Sequence, residues 1–454
     1  MRLVSALLAT LLLAACATPP ASDLADRRAG PDLTLPPMKN FGEARPAPLT
    51  QSRQQLAADF LDLSFLMESG RPLVTFSRFE APIRVGLQGD RIPATLERDL
   101  DQLLRRLRRE AGIDIAVAQN ERPNLIIETL PRARLQRVVP QAACFVVPNV
   151  TSWEAFLRNR RTSKLDWSKV VVRETAAVFL PDDVAPQEVR DCLQEEIAQA
   201  IGPLNDLYRL TGSIFNDDNF HTVLTRFDMT MLRITYDDAL QPGMTRAQVA
   251  DRLPAILARL ARNSAIRSPS VTTTPASRDW VEAIETALGP GTPARRRARA
   301  AQNAVALARN EGPELRAFSS YALGRLTIGS RPDLALASFL NATRLYDSLP
   351  GTDLQQAHIA VQLAAFALSA GQGDAALALI NRHLPAAMQA QNAALLATLL
   401  LMKSEALILQ GRPGEAQAVR LDSLGWARYG FGAEADIRAR VRDIAAVRTA
   451  SAKQ

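Results

Sequence analysis

The chain has 454 residues and a formal charge of +7, from 54 Lys and Arg against 47 Asp and Glu. Hydrophobic residues make up 47 % of it and there are only three cysteines, which excludes a disordered polymer and a disulfide-dense scaffold and leaves room for two globular domains. Lysine stands only at positions 39, 164, 169, 403 and 453, so the basic surplus is carried by arginine.

In chain order, the first signal is Arg2 followed by the apolar run Leu3 to Leu13 and then Ala14-Ala15-Cys16. A short positive start, an apolar stretch and small residues before a cysteine are the pattern of a cleaved secretory signal ending in a bacterial lipobox. Residues 1–16 are therefore read as a lipoprotein signal peptide with Cys16 lipidated by diacyl and amide-linked (palmitate-type) chains. Each buried methylene adds about 0.8 kcal/mol to such an anchor. No later run approaches the ~18 uninterrupted apolar residues of a spanning helix, so the expected mature chain is anchored rather than threaded. No Asp follows Cys16, and the expected location is the periplasmic face of the outer membrane, with the inner membrane as the alternative.

Residues 17–50 are rich in Pro, Ala and Asp and read as a disordered tether. A first domain is expected over 51–265. Gln51 to Met67 has helical spacing, Thr75 to Gly89 alternates as a half-buried strand, and Ala94 to Ala111 places Leu96, Leu100, Leu103, Leu104 and Leu107 on one helix face. Residues 124–130 and 144–150 are strand-like, and 169–181 is a strand pair or one strand with a turn. The arginine runs Arg105-Arg106-Leu107-Arg108-Arg109 and Arg295-Arg296-Arg297 sit on helices with acidic neighbours. They predict a solvated face able to rest on anionic lipid or envelope polymer, with no nucleic-acid partner. With Cys16 lipidated, Cys144 and Cys192 have one way to pair in an oxidising periplasm. A Cys144–Cys192 disulfide is expected, two buried free thiols being the alternative.

The stretch "RDCLQEEIAQAIGPLND", Arg190 to Asp206, carries the chemistry question. In a His-Glu-x-x-His zinc-protease helix, two histidines four apart bind the metal and the glutamate acts as base for its water. On that spacing Glu195 takes the first ligand position, Glu196 the base, Gln199 the second ligand, Gly202 the turn and Asn205 the third ligand, with Asp206 beside it. "GSIFN" (Gly212–Asn216) stands where the metzincin methionine turn would be, with Phe215 for the methionine. "LTRFDMTMLRITYDD" stands for the closing helix, begun by Asp228, with Leu232 and Tyr236 facing the core. Residues 70 to 240 thus resemble a degenerate metzincin, or zincin-like, layout. More closely, the Cys-x-x-Glu-Glu-x-x-Gln-x-x-Gly-x-x-Asn-Asp string and the Ser-Ile-Phe-Asn segment resemble an uncharacterised family of bacterial lipoproteins, a domain of unknown function. That resemblance implies a zincin-like α+β fold and no particular reaction.

Amides at Gln199 and Asn205 are poor zinc ligands. The favoured reading is therefore a non-catalytic pseudo-zincin with no cofactor. The alternative is a metal-dependent peptidase with Glu196 as catalytic base and a divalent metal on Glu195, Asp206 and His221. Without a metal the residues still have uses. Glu195 and Gln199 can bond one another, Gly202 suits a left-handed helix cap, and Cys192 pins the helix to the strand at Cys144.

Residues 266–279 form a Ser/Thr/Pro linker, and an all-α domain is expected over 280–454. "SRPDLALASF", "GQGDAALALI" and "GRPGEAQAVR" set Asp333, Asp374 and Glu415 41 residues apart, each after a Gly or Pro turn. That period marks a helical-hairpin repeat. Residues 316–350 resemble a tetratricopeptide repeat, with Leu323-Gly324, Ala335, Ala337, Phe339, Ala342 and Pro350. His358 and His383 are packing or surface residues, and "WARYGFG" (Trp426–Gly432) either caps the last repeat or forms a contact surface for a partner. The expected whole is a zincin-like α+β domain followed by an all-α tetratricopeptide-like domain. It would act as a scaffold or adaptor that binds an envelope protein or peptide on its concave face.

Overall fold

Runs of apolar residues in the first half of the chain assemble one mixed five-stranded sheet. Among the described residues there are seven strands: β1 (Arg78–Phe79), β2 (Ile83–Gly89), β3 (Ile115–Val117), β4 (Leu125–Leu130), β5 (Phe145–Pro148), β6 (Val172–Arg173) and β7 (Ala176–Pro181). The main sheet has the order β3-β2-β4-β7-β5, parallel except for β5, which runs antiparallel to β7 at the edge. β1 and β6 pair separately. The computed structural model describes residues 35–45, 47–261 and 276–450. The expected signal peptide with Cys16, the tether up to residue 34 and the linker up to residue 275 lie outside the described residues.

β4 and β7 are buried at every position, which is why they read as continuous apolar runs. Alternate residues serve two cores: Leu125, Ile127, Ala176, Val178 and Leu180 face one, while Ile126, Ala177 and Phe179 join Trp153 and Phe156 in the other. The expected single strand over 75–89 is two strands in different sheets. Glu80-Ala81-Pro82 interrupts it, and a proline cannot donate to a ladder.

The helices of this region are α1 (Arg53–Phe65), α2 (Leu96–Arg106), α3 (Arg132–Gln136), α4 (Trp153–Asn159), α5 (Pro186–Ile201), α6 (Arg226–Thr235) and α7 (Arg246–Ala261). α2 continues as a π-helical turn over Leu107–Ala111 and stops at Gly112, whose φ is 73°. α3 and α4, with five and seven residues, are too short for a periodic pattern to reveal.

Nine helices follow among the described residues: α8 (Arg278–Leu288), α9 (Ala294–Leu307), α10 (Pro313–Thr327), α11 (Pro332–Asp347), α12 (Asp353–Ser369), α13 (Gly373–Gln389), α14 (Ala393–Leu409), α15 (Pro413–Gly430) and α16 (Glu434–Ala450). They pack as the hairpins α8–α9, α10–α11, α12–α13 and α14–α15. Asp333, Asp374 and Glu415 each sit in the first turn of a hairpin's second helix, where a carboxylate complements the helix dipole. A Cβ at Gly324 would come within 2.6 Å of the Phe339 ring, so the glycine sets how closely α10 approaches α11.

Two boundaries differ from expectation. The described residues of 37–50 are not a free tether but a strap across the body. Lys39 N–H donates to the Gly425 carbonyl, Phe41 stacks on Trp426 at 4.5 Å, and Gln391 Nε2 donates to the Gly42 carbonyl. Pro and Ala suit such a strap as well as a tether, so composition alone could not separate the two. The expected linker also ends early, because α8 begins at Arg278. From Pro37 onward the chain clusters as one unit.

Candidate functional site at the Glu195–Asp206 cluster

α5 begins at Pro186, a residue suited to a helix's first turn, and runs along the sheet to Ile201. Its Cys192 forms a disulfide with Cys144, one residue before edge strand β5, with Cα atoms 5.9 Å apart. The expected pairing is present. The helix end is closed by side chains. Arg173 Nη1 donates to the carbonyls of Gln199 (2.9 Å) and Ala200 (2.8 Å), and Tyr236 Oη donates to that of Ile201 (2.9 Å). A guanidinium at a helix C-terminus meets both the free carbonyls and the dipole. Burial lowers the Arg173 pKa to about 10.

Gly202 does not form the expected left-handed cap. Its φ is −135°, and glycine is required for space: a Cβ would lie 2.4 Å from Leu232 Cδ2 of α6. The chain then turns back toward α5. Gln199 Nε2 donates to Asp206 Oδ2 at 2.9 Å, so the amide bonds forward to the loop rather than back to Glu195. Asn205 points away, its Nδ2 donating to the Asp62 carbonyl of α1 at 3.0 Å. Of the Asn205-Asp206 pair, Asp206 is the residue that faces the motif helix.

Glu195, Glu196 and Asp206 lie within electrostatic reach of Glu68, from the loop after α1, and Glu195 and Asp206 also of Asp217. Burial raises Glu195 to about 8, helped by Asp217, Glu68 and Asp191. Burial, then Glu195 and Glu68, holds Glu196 well above the usual carboxylate range. Asp206 is raised by burial, then by Glu195, Glu68 and Asp217. Asp217 rises to about 6 through burial, Glu68 and Glu285 of α8. Every charged neighbour that shifts these four groups is itself acidic, so burial and mutual repulsion both favour their protonated forms.

Glu68, Asp217 and Glu285 escaped the sequence reading. Asp217 follows the Phe215-Asn216 turn directly and was within reach of it. Glu68 and Glu285 come from distant segments with no local signal.

His221 is held elsewhere. Its Nε2 meets the Thr211 carbonyl at 3.0 Å, and its charged neighbour is Asp228. Burial lowers its pKa, leaving a neutral ring. The set Glu195, Asp206 and His221 is therefore not assembled. Among the described residues no group of three or more His, Cys, Asp or Glu side chains is arranged to hold a metal ion.

Phe215 is fully buried in the core that also contains Leu193 and Ile197 of α5. Its turn is held by Asp228, fully buried, which accepts from Ser213 Oγ and from the N–H groups of Ile214 and Thr225. Asp228 and Thr225 form a reciprocal capping box at the start of α6.

The first turns of α5 dock on the helical region. Gln187 Nε2 donates to Asn392 Oδ1 at 3.0 Å, and Arg190 Nη2 donates to the Gln391 carbonyl. The Arg190 guanidinium lies 5.6 Å from the Phe41 ring centroid and 5.2 Å from that of Tyr429, whose hydroxyl donates to Asp99 Oδ2 at 2.7 Å. The Trp426–Gly432 cluster is thus a contact surface for the protein's own strap and first domain. One helix carries the acidic cluster at its end and the joint between the two halves at its start.

Fold and site define an α/β region carrying a partly buried carboxyl cluster, joined to an all-helical region. Residues 53–255 match a family described as "Protein of unknown function (DUF2927)". No curated protein and no solved structure matches the chain. Among the described residues no helix is long and apolar enough to cross a membrane.

Proposed function

We propose that the chain is an envelope lipoprotein, anchored through Cys16 at the periplasmic face of the outer membrane. In this reading the zincin-like region is a non-catalytic module, and the tetratricopeptide-like hairpins offer a surface to a protein or peptide partner. The observation that carries it is the fate of the two amides. Gln199 is used by Asp206 and Asn205 by the Asp62 carbonyl, so the second and third ligand positions serve as hydrogen-bonded framework. The retained features support the same reading. Gly202 is needed for contact with Leu232, the Phe215 turn is locked by Asp228, and Tyr236 closes α5, all for reasons of packing. The joint through Arg190 supports a unit whose two halves act together rather than an enzyme with a loose appendage.

The test pairs two measurements. Cleavage of an unfolded protein substrate, with added zinc, calcium or magnesium, is compared between the wild type and Glu196→Gln. Fractionation of the cell envelope is compared between the wild type and Cys16→Ser. The expected results are no Glu196-dependent cleavage and loss of membrane association in Cys16→Ser. Metal-dependent cleavage abolished by Glu196→Gln would overturn the non-catalytic reading, and unchanged membrane association would overturn the anchor.

A further inference from the structure

A second feature lies away from the acidic cluster. Between the strap, the segment that leads into α6 and the hairpin α12–α13 is a cavity of about 150 Å³. Leu49 of the strap, Val223 just before α6, Phe227 in its first turn, and Leu354 and Ala386 of the hairpin supply apolar wall. These residues come from three distant parts of the chain.

Protein interiors are close-packed, and voids larger than a water molecule are few. A largely apolar cavity of this size accepts a single six-membered ring. The polar lining includes His221, Asp353, Arg226, Gln51 and Gln389. His221 lines the cavity with its Nε2 against the Thr211 carbonyl. A carbonyl only accepts, so Nε2 carries the proton and Nδ1 is an acceptor in the neutral ring. Asp353, in the first turn of α12, lines the same cavity and is exposed to solvent. The lining therefore combines an apolar wall, one neutral acceptor and an exposed pair of opposite charges, Asp353 and Arg226, and it favours neither an anion nor a cation.

We infer that this cavity is a binding site for an uncharged ligand the size of one aromatic ring that carries a hydrogen-bond donor, received by His221. The strap forms one wall, so occupancy also couples the strap to both halves of the molecule.

The probes are phenol, benzene and benzoate, titrated calorimetrically into the full chain. Phenol is expected to bind saturably at one site, and benzene and benzoate more weakly, the latter because its charge must be desolvated. Ala386→Phe, at a half-buried wall position, is expected to abolish phenol binding by filling the space. His221→Phe is expected to weaken phenol at least tenfold while benzene is retained. Circular dichroism and the melting temperature establish that each variant is folded; if His221→Phe does not fold, His221→Gln takes its place with the same expectation. Absence of saturable phenol binding, equal binding by Ala386→Phe, or equal loss of phenol and benzene in the His221 variant would each overturn the inference.

Discussion

Gln199 donates its amide to Asp206 across the Gly202 turn at 2.9 Å. This bond joins the end of α5 to the loop that follows it, and it occupies the side chain that stands at a metal-ligand position in the zincin-like spacing. Replacing Gln199 with Ala leaves the Asp206 carboxyl without its donor in a site where Gln199 itself is only 7 % exposed. A buried polar group deprived of its partner costs about 1–3 kcal/mol. Chemical denaturation should show a loss of that size for Gln199→Ala, and a smaller loss for Gln199→Glu at pH 5, where a protonated carboxyl still donates.

Desolvated carboxyls, in the cluster and at Asp59 beside Arg209, make stability depend on pH in an unusual direction. Glu195 and Asp191 are raised to about 8, and Asp217 and Asp59 to about 6, from ordinary values of 4.5 and 3.8, in each case mainly by burial. Between the ordinary and raised values the folded protein binds more protons than the unfolded chain, so stability falls as pH rises. This contribution is fully present below about pH 4 and is lost as pH rises through 6 and then 8. Calorimetric melting should be higher at pH 5 than at pH 8, and Glu195→Gln should flatten the difference.

Gly202 is needed for contact rather than for backbone freedom. Gly202→Ala forces the Leu232 side chain to move, and the added Cβ also meets the Ala198 carbonyl at 3.0 Å. Overpacking of this kind costs about 1–3 kcal/mol. Leu232→Ala in the same chain should recover part of that loss, a coupling that equilibrium unfolding of the two single variants and the double variant measures directly.

The Cys144–Cys192 bridge closes a separation of 48 residues and ties α5 to the sheet edge. Constraint of the unfolded chain by such a loop is worth about 2–4 kcal/mol. Cys144→Ser with Cys192→Ser should lower stability by that amount in the absence of reductant, and added reductant should bring the wild type down to the same level.

Arg190 tests the joint. Its guanidinium contacts Phe41 and Tyr429 and bonds the Gln391 carbonyl, so it ties strap, α5 and helical region at one point. Arg190→Ala should broaden or split the single thermal transition expected of the wild type, with the helical region melting separately.

The motif helix, the strands of the buried sheet and the hairpin period were legible because each is a local pattern: α5 spacing, apolar runs, and Asp333, Asp374 and Glu415 at equal intervals. The partners were not. Glu68 and Glu285 reach the cluster from segments more than a hundred residues away on one side and about ninety on the other, and periodicity carries no record of such contacts. Asn205 and Asp206 are adjacent in the chain, and only the backbone path after Gly202 decides that Asp206 faces Gln199. The strap failed for a different reason. Its anchors, Lys39 and Phe41, are two residues in a stretch whose composition otherwise reads as tether.

In the proposed function the zincin-like layout persists as framework, without a catalytic metal. Elemental analysis of the purified full chain, prepared without chelator and dialysed against trace zinc, calcium and manganese, tests it most directly. No stoichiometric metal is expected, in the wild type or in Glu196→Gln. One metal ion bound per chain, lost on substitution of Glu195 or Asp206, would contradict it.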